Sequence, residues 1–244
     1  MSLEEKHAIV TGASRGIGLA IASALAARSA RVSVVNRSDA PVPEQFFRAS
    51  ADVRDEGAVR RAFAACRAAN GAIEILVNNA GIVESATLAR TSMEMWERII
   101  GTNLTGTFLC TREAFPGMLA AGWGRVVNVA STAGLGGAPY IAAYCASKHG
   151  VIGFTRAIAA EAAGSGVTIN AICPGYTETE IFRTAVANIV AKTGRDERTA
   201  RELLAKSNPE GRIAGVEEVA QGVIDLIEST RNGVSLVIPG LAER

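Results

Sequence analysis

The fold of this chain is decided by one stretch near its start, His7-Ala-Ile-Val-Thr-Gly-Ala-Ser-Arg-Gly-Ile-Gly-Leu-Ala20. A short apolar run comes first, then a glycine-rich turn, then an Ala-rich run with helical periodicity. Gly12 permits a tight turn, Gly16 permits close approach of a pyrophosphate, and Gly18 lets the helix pack on the sheet. Free N–H groups at the start of the helix would receive the phosphates. The stretch predicts a dinucleotide-binding strand–turn–helix unit rather than a glycine-rich turn without a ligand.

The rest of the chain repeats this alternation. Candidate strands cover 7–11, 31–36, 48–51, 73–78, 125–130, 167–172 and 235–238; candidate helices cover 16–28, 55–70, 93–121, 141–163, 179–206 and 216–229. The alternation predicts an α/β, Rossmann-like doubly wound fold, with about seven parallel strands and helices on both faces. No linker or repeat is recognised, so a single domain over 1–244 is expected. The eleven residues between Asn36 and residue 48 include Pro41 and Pro43, which predicts a loop in place of a crossover helix.

Composition is typical of a soluble globular protein, with 48 % hydrophobic and 20 % charged residues. Lys and Arg total 25 against 24 Asp and Glu, which indicates neither nucleic-acid nor membrane binding. The polar first residues are not a signal peptide, and no apolar stretch is long enough to span a bilayer. The cysteines lie far apart without a Cys-x-x-Cys pattern, so we expect reduced, buried thiols, no metal site and a cytoplasmic location; they are Cys66, Cys110, Cys145 and Cys173.

The end of the second candidate strand indicates which nicotinamide cofactor is bound. An acidic residue there would hold the adenosine ribose of NAD, but the chain reads Asn36-Arg37-Ser38. Asp39 comes one or two positions too late for that role. Arg37, helped by Arg15 of the glycine turn, would clamp a 2′-phosphate with its planar guanidinium group. The pattern favours NADP(H), with NAD(H) as the alternative.

Two further stretches belong to the same predicted crevice. Asp52 follows the third candidate strand and would bind the adenine amino group, cap the next helix, or do both. Asn78-Asn79-Ala80-Gly81 ends the fourth candidate strand, where crevice-lining residues of an open α/β sheet lie.

Tyr144 and Lys148 form the most informative pair in the second half of the chain. They are four residues apart in A-A-Y-C-A-S-K-H-G, so on a helix they share one face. A free tyrosine has a pKa of about 10 and is a poor acid or base at neutral pH. A nearby ammonium group favours the phenolate and lowers that pKa, which predicts acid–base chemistry at Tyr144.

Taken in order, Thr-Gly-x-x-x-Gly-x-Gly, Asn-Asn-Ala-Gly and Tyr-x-x-x-Lys resemble the motifs of the short-chain dehydrogenases/reductases, over essentially the whole chain. The resemblance extends to Ser131, thirteen residues before Tyr144, to Asn103 in the third candidate helix, and to Pro174-Gly175 with Thr177. It implies the catalytic residues Asn103, Ser131, Tyr144 and Lys148. The expected cofactor-binding residues are Gly12, Ser14, Arg15, Gly16, Ile17, Gly18, Asn36, Arg37, Ser38, Asp52, Val53, Asn79, Ala80, Gly81, Tyr144, Lys148, Pro174, Gly175 and Thr177.

The resemblance also implies roles for the catalytic residues. Tyr144 would give a proton to a carbonyl oxygen as hydride arrives, or take one in the reverse direction. Lys148 would lower the pKa of Tyr144 and hold the nicotinamide ribose. Ser131 would polarise the carbonyl, and Asn103 would hold a water on a proton path. The alternatives are that Ser131 caps a loop and that Asn103 perturbs its helix.

Three other residues compete for attention as acids or bases. Tyr140 lies eight residues from Lys148 in a loop-like stretch, so we expect it to contact substrate or to pack. His7 belongs to the first strand, and His149 lies about 100° away from the Lys148 face of its helix. We expect both histidines to be structural.

The substrate is the least determined part of this prediction. A-S-K-H-G-V-I-G-F-T and N-A-I-C-P-G-Y-T-E-T look most like 3-oxoacyl-thioester reductases and type II polyketide ketoreductases, and also resemble 3-hydroxyacyl-CoA dehydrogenases. Reduction of a 3-oxoacyl thioester or related ketone with NADPH is therefore expected. The alternatives are an NAD-dependent alcohol dehydrogenase and, more distantly, a non-catalytic dinucleotide sensor. An epimerase or dehydratase is disfavoured, because such enzymes usually carry a longer C-terminal substrate domain.

The resemblance further implies a substrate lid around 176–206 and a homotetramer. Apolar lid residues would either face an acyl group or pack on the core; they are Ile181, Phe182, Val186, Ile189 and Val190. The chain departs from the family pattern in the short segment after Arg37 and in its short C-terminus. The first departure affects the adenosine pocket, and the second affects the last strand, which often contributes to the tetramer interface.

Overall fold

The computed structural model describes residues 3–240, in which seven strands form one parallel sheet in the order β3-β2-β1-β4-β5-β6-β7. The strands are β1 (His7–Thr11), β2 (Arg31–Asn36), β3 (Phe47–Ser50), β4 (Ile75–Asn78), β5 (Gly124–Val129), β6 (Val167–Pro174) and β7 (Ser235–Ile238). The chain runs outward from β1 to one edge, then returns to β4 and continues to the other edge. The neighbours β1 and β4 therefore mark the switch point, where an open α/β sheet forms its binding crevice.

Helices cover both faces of the sheet, as the doubly wound prediction requires. The helices are α1 (Gly16–Ala26), α2 (Glu56–Asn70), α3 (Met93–Ile100), α4 (Gly106–Ala121), α5 (Ala142–Glu161), α6 (Glu180–Thr193), α7 (Glu197–Ala205) and α8 (Val216–Glu228). α1 and α8 pack on one face, over alternate strand residues such as Ala8, Val10 and Val34. α2, α4 and α5 pack on the other face, over the intervening residues such as Ile9 and Val35.

The predicted fold class is confirmed, and so is the absence of a crossover helix between β2 and β3. The third strand begins one residue earlier than predicted, at Phe47, and the sixth continues to Pro174. The four cysteines are free and buried, as expected. Within residues 3–240, no helix combines the length and apolarity that a bilayer-spanning segment needs.

Two long predicted helices differ from the structure in different ways. Helix 93–121 is helical throughout, but it contains a π-helical turn over Gly101–Thr105. Helix 179–206 is divided at Gly194, which adopts φ +67° and ends α6 before Asp196 caps α7. Left-handed backbone is the usual way to end a helix at glycine, and an Asp side chain that accepts a backbone N–H is the usual way to begin one.

Candidate active site

The predicted residues gather in one open cleft along the carboxyl ends of the strands. The cleft has a volume of about 2510 Å³, and its lining includes all the predicted cofactor-binding residues and Ser131. Asn103 is fully buried and does not line it. The carboxyl ends of neighbouring parallel strands meet at one edge of a sheet, which is why motifs far apart in the chain come together here.

The glycine turn is packed too closely for side chains. A Cβ atom on Gly12 would lie 2.8 Å from Ala80 Cα, and one on Gly18 would lie 2.5 Å from Gly12 O. Gly12 and Gly16 also have φ of +66° and +56°, where other L-residues are strained. The first turn of α1 has no side-chain cap. The turn therefore leaves backbone and helix N–H groups at the cleft surface, as a phosphate cradle requires.

The segment after β4 is fastened to the glycine turn by side chains. Thr11 Oγ1 accepts hydrogen bonds from the backbone N–H groups of Asn79 (3.1 Å) and Ala80 (3.0 Å). Asn79 Nδ2 donates to Thr11 O at 3.0 Å and to Gly12 O at 2.9 Å. Sequence reasoning missed Thr11 as a positioning residue, although it stands in the Thr-Gly motif, because its partners come from a distant strand.

The adenosine end of the cleft carries an open acceptor and an available cation. Asn36 is buried, and in residues 3–240 its Oδ1 has no hydrogen-bond partner. Arg37 is exposed, and no ion pair is found for it within the same residues. It is close enough to lower the pKa of Asp52, together with the larger effect of a hydrogen bond from Arg54. Asp39 is held outward by Arg48 at 3.2 Å.

Two assignments at this end need correction or revision. Asp52 does not cap α2, because the cap is Asp55, whose Oδ1 accepts from the backbone at 2.8 Å. Asp52 is instead engaged by the Arg54 guanidinium, with contacts of 2.6 to 3.1 Å. Arg15 was expected to assist Arg37 at a 2′-phosphate. In the structure it is paired instead with the lid, because its Nη1 lies 2.5 Å from Glu180 Oε2 at the start of α6.

Ser131, Tyr144 and Lys148 meet at the carboxyl end of β5. The Ser131 hydroxyl lies close enough to Tyr144 to counter part of the rise in its pKa, and Ser131 Oγ donates to Pro174 O at 3.4 Å. Lys148 Nζ donates to Val129 O at 2.7 Å and lies 5.7 Å from the Tyr144 ring centroid. Ser131 Oγ also accepts the Ala133 N–H at 3.1 Å, so the capping alternative for Ser131 and its place beside Tyr144 are both realised.

The electrostatics of the pair differ from the expected arrangement. Burial raises the pKa of Tyr144 to about 12, and the hydrogen bond from Ser131 lowers it only in part. Burial lowers the pKa of Lys148 to about 8. The charged form of each group loses hydration in the site, and that loss is the largest effect on both pKa values. Lys148 therefore does not bring the Tyr144 pKa below its ordinary value; at neutral pH the tyrosine holds its proton.

Asn103 sits in the π-helical turn and joins three parts of the fold. Its Oδ1 accepts the Ile82 N–H at 2.8 Å, and its Nδ2 donates to Ile82 O at 2.9 Å and to Ser147 Oγ at 3.0 Å. The alternative that Asn103 perturbs its helix is supported, since the helix widens where the amide turns toward Ile82. Its predicted role in holding a water stays a prediction.

The three residues that compete as acids or bases, His7, His149 and Tyr140, are not positioned for proton transfer. His7 is buried in β1, where Nδ1 contacts Gly71 O at 2.9 Å, Nε2 contacts Ser33 Oγ at 2.8 Å, and burial lowers its pKa. His149 Nδ1 contacts Cys145 O at 2.9 Å on its own helix. Tyr140 is 63 % exposed at the rim of the cleft, with φ +68° and its carbonyl accepting Ala86 N–H. Substrate contact therefore suits Tyr140 better than packing.

The apolar residues of the lid divide between the two expected roles. Phe182 and Val186 are buried with Ala200 and Leu204 in a small cluster between α6 and α7. Ile181 is 54 % exposed and lines the cleft. Ile189 and Val190 pack beside the cluster, and Ile189 also lines the cleft.

Sequence reasoning missed two other residues at the base of the lid. Tyr176 lines the cleft, packs on Phe182 with a ring separation of 6.3 Å, and contributes to the raised pKa of Tyr144. Asn208 holds the backbone of Tyr176. The aromatic residue after Pro174-Gly175 was a usable signal for Tyr176, whereas nothing in the local sequence marks Asn208.

The residues of the cleft fit a nicotinamide dinucleotide. The side-chain-free backbone at Gly12 and Gly18, the buried acceptor of Asn36 and the exposed guanidinium of Arg37 are the groups that such a molecule needs. No cluster of His, Cys, Asp or Glu within residues 3–240 is arranged to hold a metal ion.

Known proteins with similar sequences and structures agree with this geometry. The family model described as short chain dehydrogenase matches residues 6–189. D-beta-hydroxybutyrate dehydrogenase of Cupriavidus necator is 40 % identical over 228 residues, covering 89 % of this chain and 88 % of that protein. Acetoacetyl-CoA reductase of Rhizobium meliloti is 38 % identical over 225 residues, covering 90 % and 89 %. The solved structure of a variant of actinorhodin polyketide ketoreductase with NADPH has a TM-score of 0.90 and 34 % identity, covering 96 % of each chain.

Proposed function

Because this chain belongs to the short chain dehydrogenase family, whose members interconvert ketones and secondary alcohols, we propose that it is an NADPH-dependent reductase of 3-oxoacyl thioesters or related ketones. The observation that carries the proposal is the hydroxyl pair of Ser131 and Tyr144, with Lys148 behind it, inside the cleft that begins at the glycine turn.

In this proposal Tyr144 is the proton donor. Its raised pKa keeps the hydroxyl protonated at neutral pH, which is the form that reduction of a carbonyl requires. Ser131 supplies a second hydroxyl at the same point, where it stabilises the negative charge that develops on the carbonyl oxygen. Lys148 is fixed by Val129 O and places its ammonium group beneath the tyrosine, where it stabilises phenolate once the proton has left.

The cofactor would be held by the residues that surround the cleft on its other side. When bound, it supplies the hydride. The glycine turn would bind the pyrophosphate, Asn36 and Asp52 would bind the adenosine, and Asn79, Ala80 and Gly81 would line the path to Lys148. Gly81 leaves space there, since a Cβ atom would lie 3.6 Å from Lys148 Nζ. Pro174, Gly175 and Thr177 would close the far side.

We favour NADP(H) over NAD(H) because the end of β2 offers a cation and no carboxylate. Arg37 is free to meet a 2′-phosphate, whereas Asp39 is turned away toward Arg48. The solved relative that contains NADPH supports the same preference.

A β-keto or β-hydroxy acid derivative is the substrate class that the relatives support. One relative is an acetoacetyl-CoA reductase and another is a D-beta-hydroxybutyrate dehydrogenase. In this chain Ile181 and Tyr140 present exposed apolar surface in the cleft that also contains Tyr144. An acyl chain would cover that surface. Because the D-beta-hydroxybutyrate dehydrogenase is named for the oxidative direction, oxidation of an alcohol with NAD stays the alternative.

The proposal is tested by the absorbance of the reduced nicotinamide during incubation with a panel of ketones. The panel contains 3-oxoacyl thioesters, free 3-oxoacids and simple ketones, and each is assayed with NADPH and with NADH. We expect turnover with NADPH, and fastest turnover with a 3-oxoacyl thioester. Tight NADPH binding without turnover of any ketone would instead support a dinucleotide sensor.

The variant Tyr144→Phe tests the assigned proton donor. Removing one hydroxyl takes away the proton and leaves the ring, so we expect kcat to fall by at least about 10³-fold while NADPH affinity stays within twofold. Cofactor affinity is measured by fluorescence titration and kcat by initial rates. Undiminished turnover would remove Tyr144 from the mechanism.

Three expectations from sequence belong to the same proposal and stay predictions. They are a single catalytic domain with a mobile lid over 176–206, assembly as a homotetramer, and a location in the cytoplasm.

A further inference from the structure

Asn208 makes an unusual set of hydrogen bonds in the segment between α7 and α8. It is 4 % exposed. Its Oδ1 accepts the Tyr176 N–H at 2.7 Å, and its Nδ2 donates to Tyr176 O at 2.8 Å and to Arg212 O at 2.6 Å. The backbone N–H and C=O groups of Tyr176 are thus both paired with the side-chain amide of Asn208, as a neighbouring β-strand would pair them.

The contact lies where the two ends of the lid meet. Thr177 forms a parallel bridge with Ala214, whose N–H donates to Tyr176 O at 3.1 Å. A Cβ atom on Gly175 would collide with Asn208 Oδ1, so the side chain is pressed against the backbone that follows β6. Between these two ends, α6 and α7 pack on each other through their own cluster, separate from the main core. The lid is therefore one packed unit whose two chain ends meet at one joint.

Tyr176 links this joint to the reaction site. Its ring packs on Phe182 inside the lid and lines the cleft, and it is close enough to Tyr144 to contribute to that residue's raised pKa. The direction of the Tyr176 side chain is determined by its backbone, which Asn208 holds on both sides. A change at Asn208 would therefore alter the substrate side of the cleft without touching Ser131, Tyr144 or Lys148.

We propose that Asn208 is a positioning residue for the substrate, acting through Tyr176 at the joint of the lid. The inference rests on the proposed function, because it assumes that the cleft beside Tyr176 takes the ketone. A buried amide with three short bonds to backbone leaves the joint little freedom. Loss of those bonds leaves the Tyr176 N–H without its side-chain partner, whereas Tyr176 O keeps the Ala214 N–H.

The test uses the full chain with Asn208→Ala and Asn208→Asp. We expect Asn208→Ala to raise KM for the ketone about tenfold while kcat changes less than about twofold, because the catalytic hydroxyls are untouched. Asn208→Asp keeps the acceptor for the Tyr176 N–H but places a carboxylate oxygen against Tyr176 O and Arg212 O, so its KM should rise at least as much as that of Asn208→Ala. Hydrogen exchange of residues 176–190 should be faster in Asn208→Ala.

A matched control is available at Asn232, which also holds backbone through its side-chain amide, but near the amino ends of β6 and β7, at the other end of these strands from the joint. Its Oδ1 accepts the Ile169 N–H at 2.9 Å and its Nδ2 donates to Ala159 O at 2.8 Å. We expect Asn232→Ala to lower the thermal stability but to leave KM and exchange over 176–190 as in the wild type. An equal rise of KM in both alanine variants, or no rise in Asn208→Ala, would show that Asn208 is merely structural.

The exchange measurement separates failure of this inference from failure of the proposed function. If wild-type protein reduces no ketone, the proposed function fails. Faster exchange over 176–190 in Asn208→Ala alone would then still support control of the lid joint by Asn208. Unchanged exchange in that variant would overturn it whatever the activity.

Discussion

At the scale of single residues, Lys148 brings an ammonium group into a buried part of the candidate active site, where burial disfavours its charged form. The side chain is 4 % exposed, and its pKa falls from 10.5 to about 8 because burial penalises the ammonium form. Below pH 8 the native protein carries a charge whose burial costs free energy. Between pH 8 and 10.5 the unfolded chain binds a proton that the native lysine does not, so this group makes the native state more stable as pH rises.

This pH dependence of stability predicts the effect of the variant Lys148→Met. It should abolish turnover and yet increase the unfolding free energy at pH 7 by up to about 3 kcal/mol, less the contribution of the lost bond to Val129 O. The gain should shrink as pH rises from 8 to 10.5. Denaturant unfolding at pH 7 and pH 10 measures it. A variant less stable than wild type at both values would contradict the assigned cost of burial.

Arg37 is the residue whose loss should distinguish the two cofactors. Arg37→Ala removes the available cation at the end of β2, so we expect NADPH affinity to fall about tenfold or more and NADH affinity to change less than twofold. Kd values for both cofactors from fluorescence titration decide the matter. Arg28→Ala is the control, because Arg28 is engaged by Glu228 away from the cleft. Equal losses for both cofactors would contradict the phosphate clamp.

At the scale of elements, α6 is held against the glycine turn. Arg15 pairs with Glu180, and a Cβ atom on Gly16 would lie 3.5 Å from Thr179 Cγ2. Arg15 was expected to assist Arg37 at a 2′-phosphate, but in this structure it is engaged by the lid. Both side chains are largely exposed, so the pair is weak and Arg15 can exchange partners at small cost.

Glu180→Gln should therefore favour NADPH. Releasing Arg15 from the carboxylate should tighten NADPH binding about threefold and leave NADH binding unchanged. Glu217→Gln serves as the control, since Glu217 lines the same cleft and is not paired with Arg15. The effect should decrease at high salt, because exposed charges are screened. Equal tightening in both variants would mean that overall charge, not Arg15, is responsible.

The two interrupted helices show which element boundaries sequence can predict. Gly194 and Asp196 are ordinary stop and start signals, so the division between α6 and α7 was readable in the chain and was overlooked. The π-helical turn was not readable. It depends on Asn103 meeting Ile82 and Ser147, which are 21 and 44 residues away, and such tertiary contacts override local propensity.

At the scale of the whole molecule, the sheet was predictable because its signals are local and repeated. Short apolar runs, glycine turns and amphipathic runs each specify one element, and their alternation specifies the parallel order. Much of the cleft followed from the same order, since the glycine turn, the Asn-Asn-Ala-Gly stretch, Ser131 and Pro174-Gly175 all lie at or just after the carboxyl ends of strands. The pKa of Tyr144 was predicted to fall below its ordinary value, and it rises instead. Burial is a property of the assembled fold, and the spacing of two residues does not reveal it.

Assembly is the remaining prediction at this scale. Phe108 on α4 is 39 % exposed, and its ring meets Phe154 of α5 edge-on at 6.3 Å with Arg112 stacked at 4.9 Å. A partly exposed aromatic pair formed between two helices is a surface that a second copy of the chain would cover. We therefore expect Phe108→Glu to reduce the assembly from four chains to fewer, measured by sedimentation velocity.

Leu203→Glu is the control for that experiment. Leu203 is similarly exposed, at 37 %, but it lies on α7 in the lid rather than on α4 or α5. A glutamate there adds the same charge and should leave the sedimentation coefficient unchanged. If wild type sediments as a single chain, the homotetramer prediction is wrong. If both variants sediment as wild-type tetramers, the α4–α5 surface is not the interface. The edge strand β7 then becomes the element to test, because a strand at the edge of a sheet offers unpaired backbone groups to a neighbour.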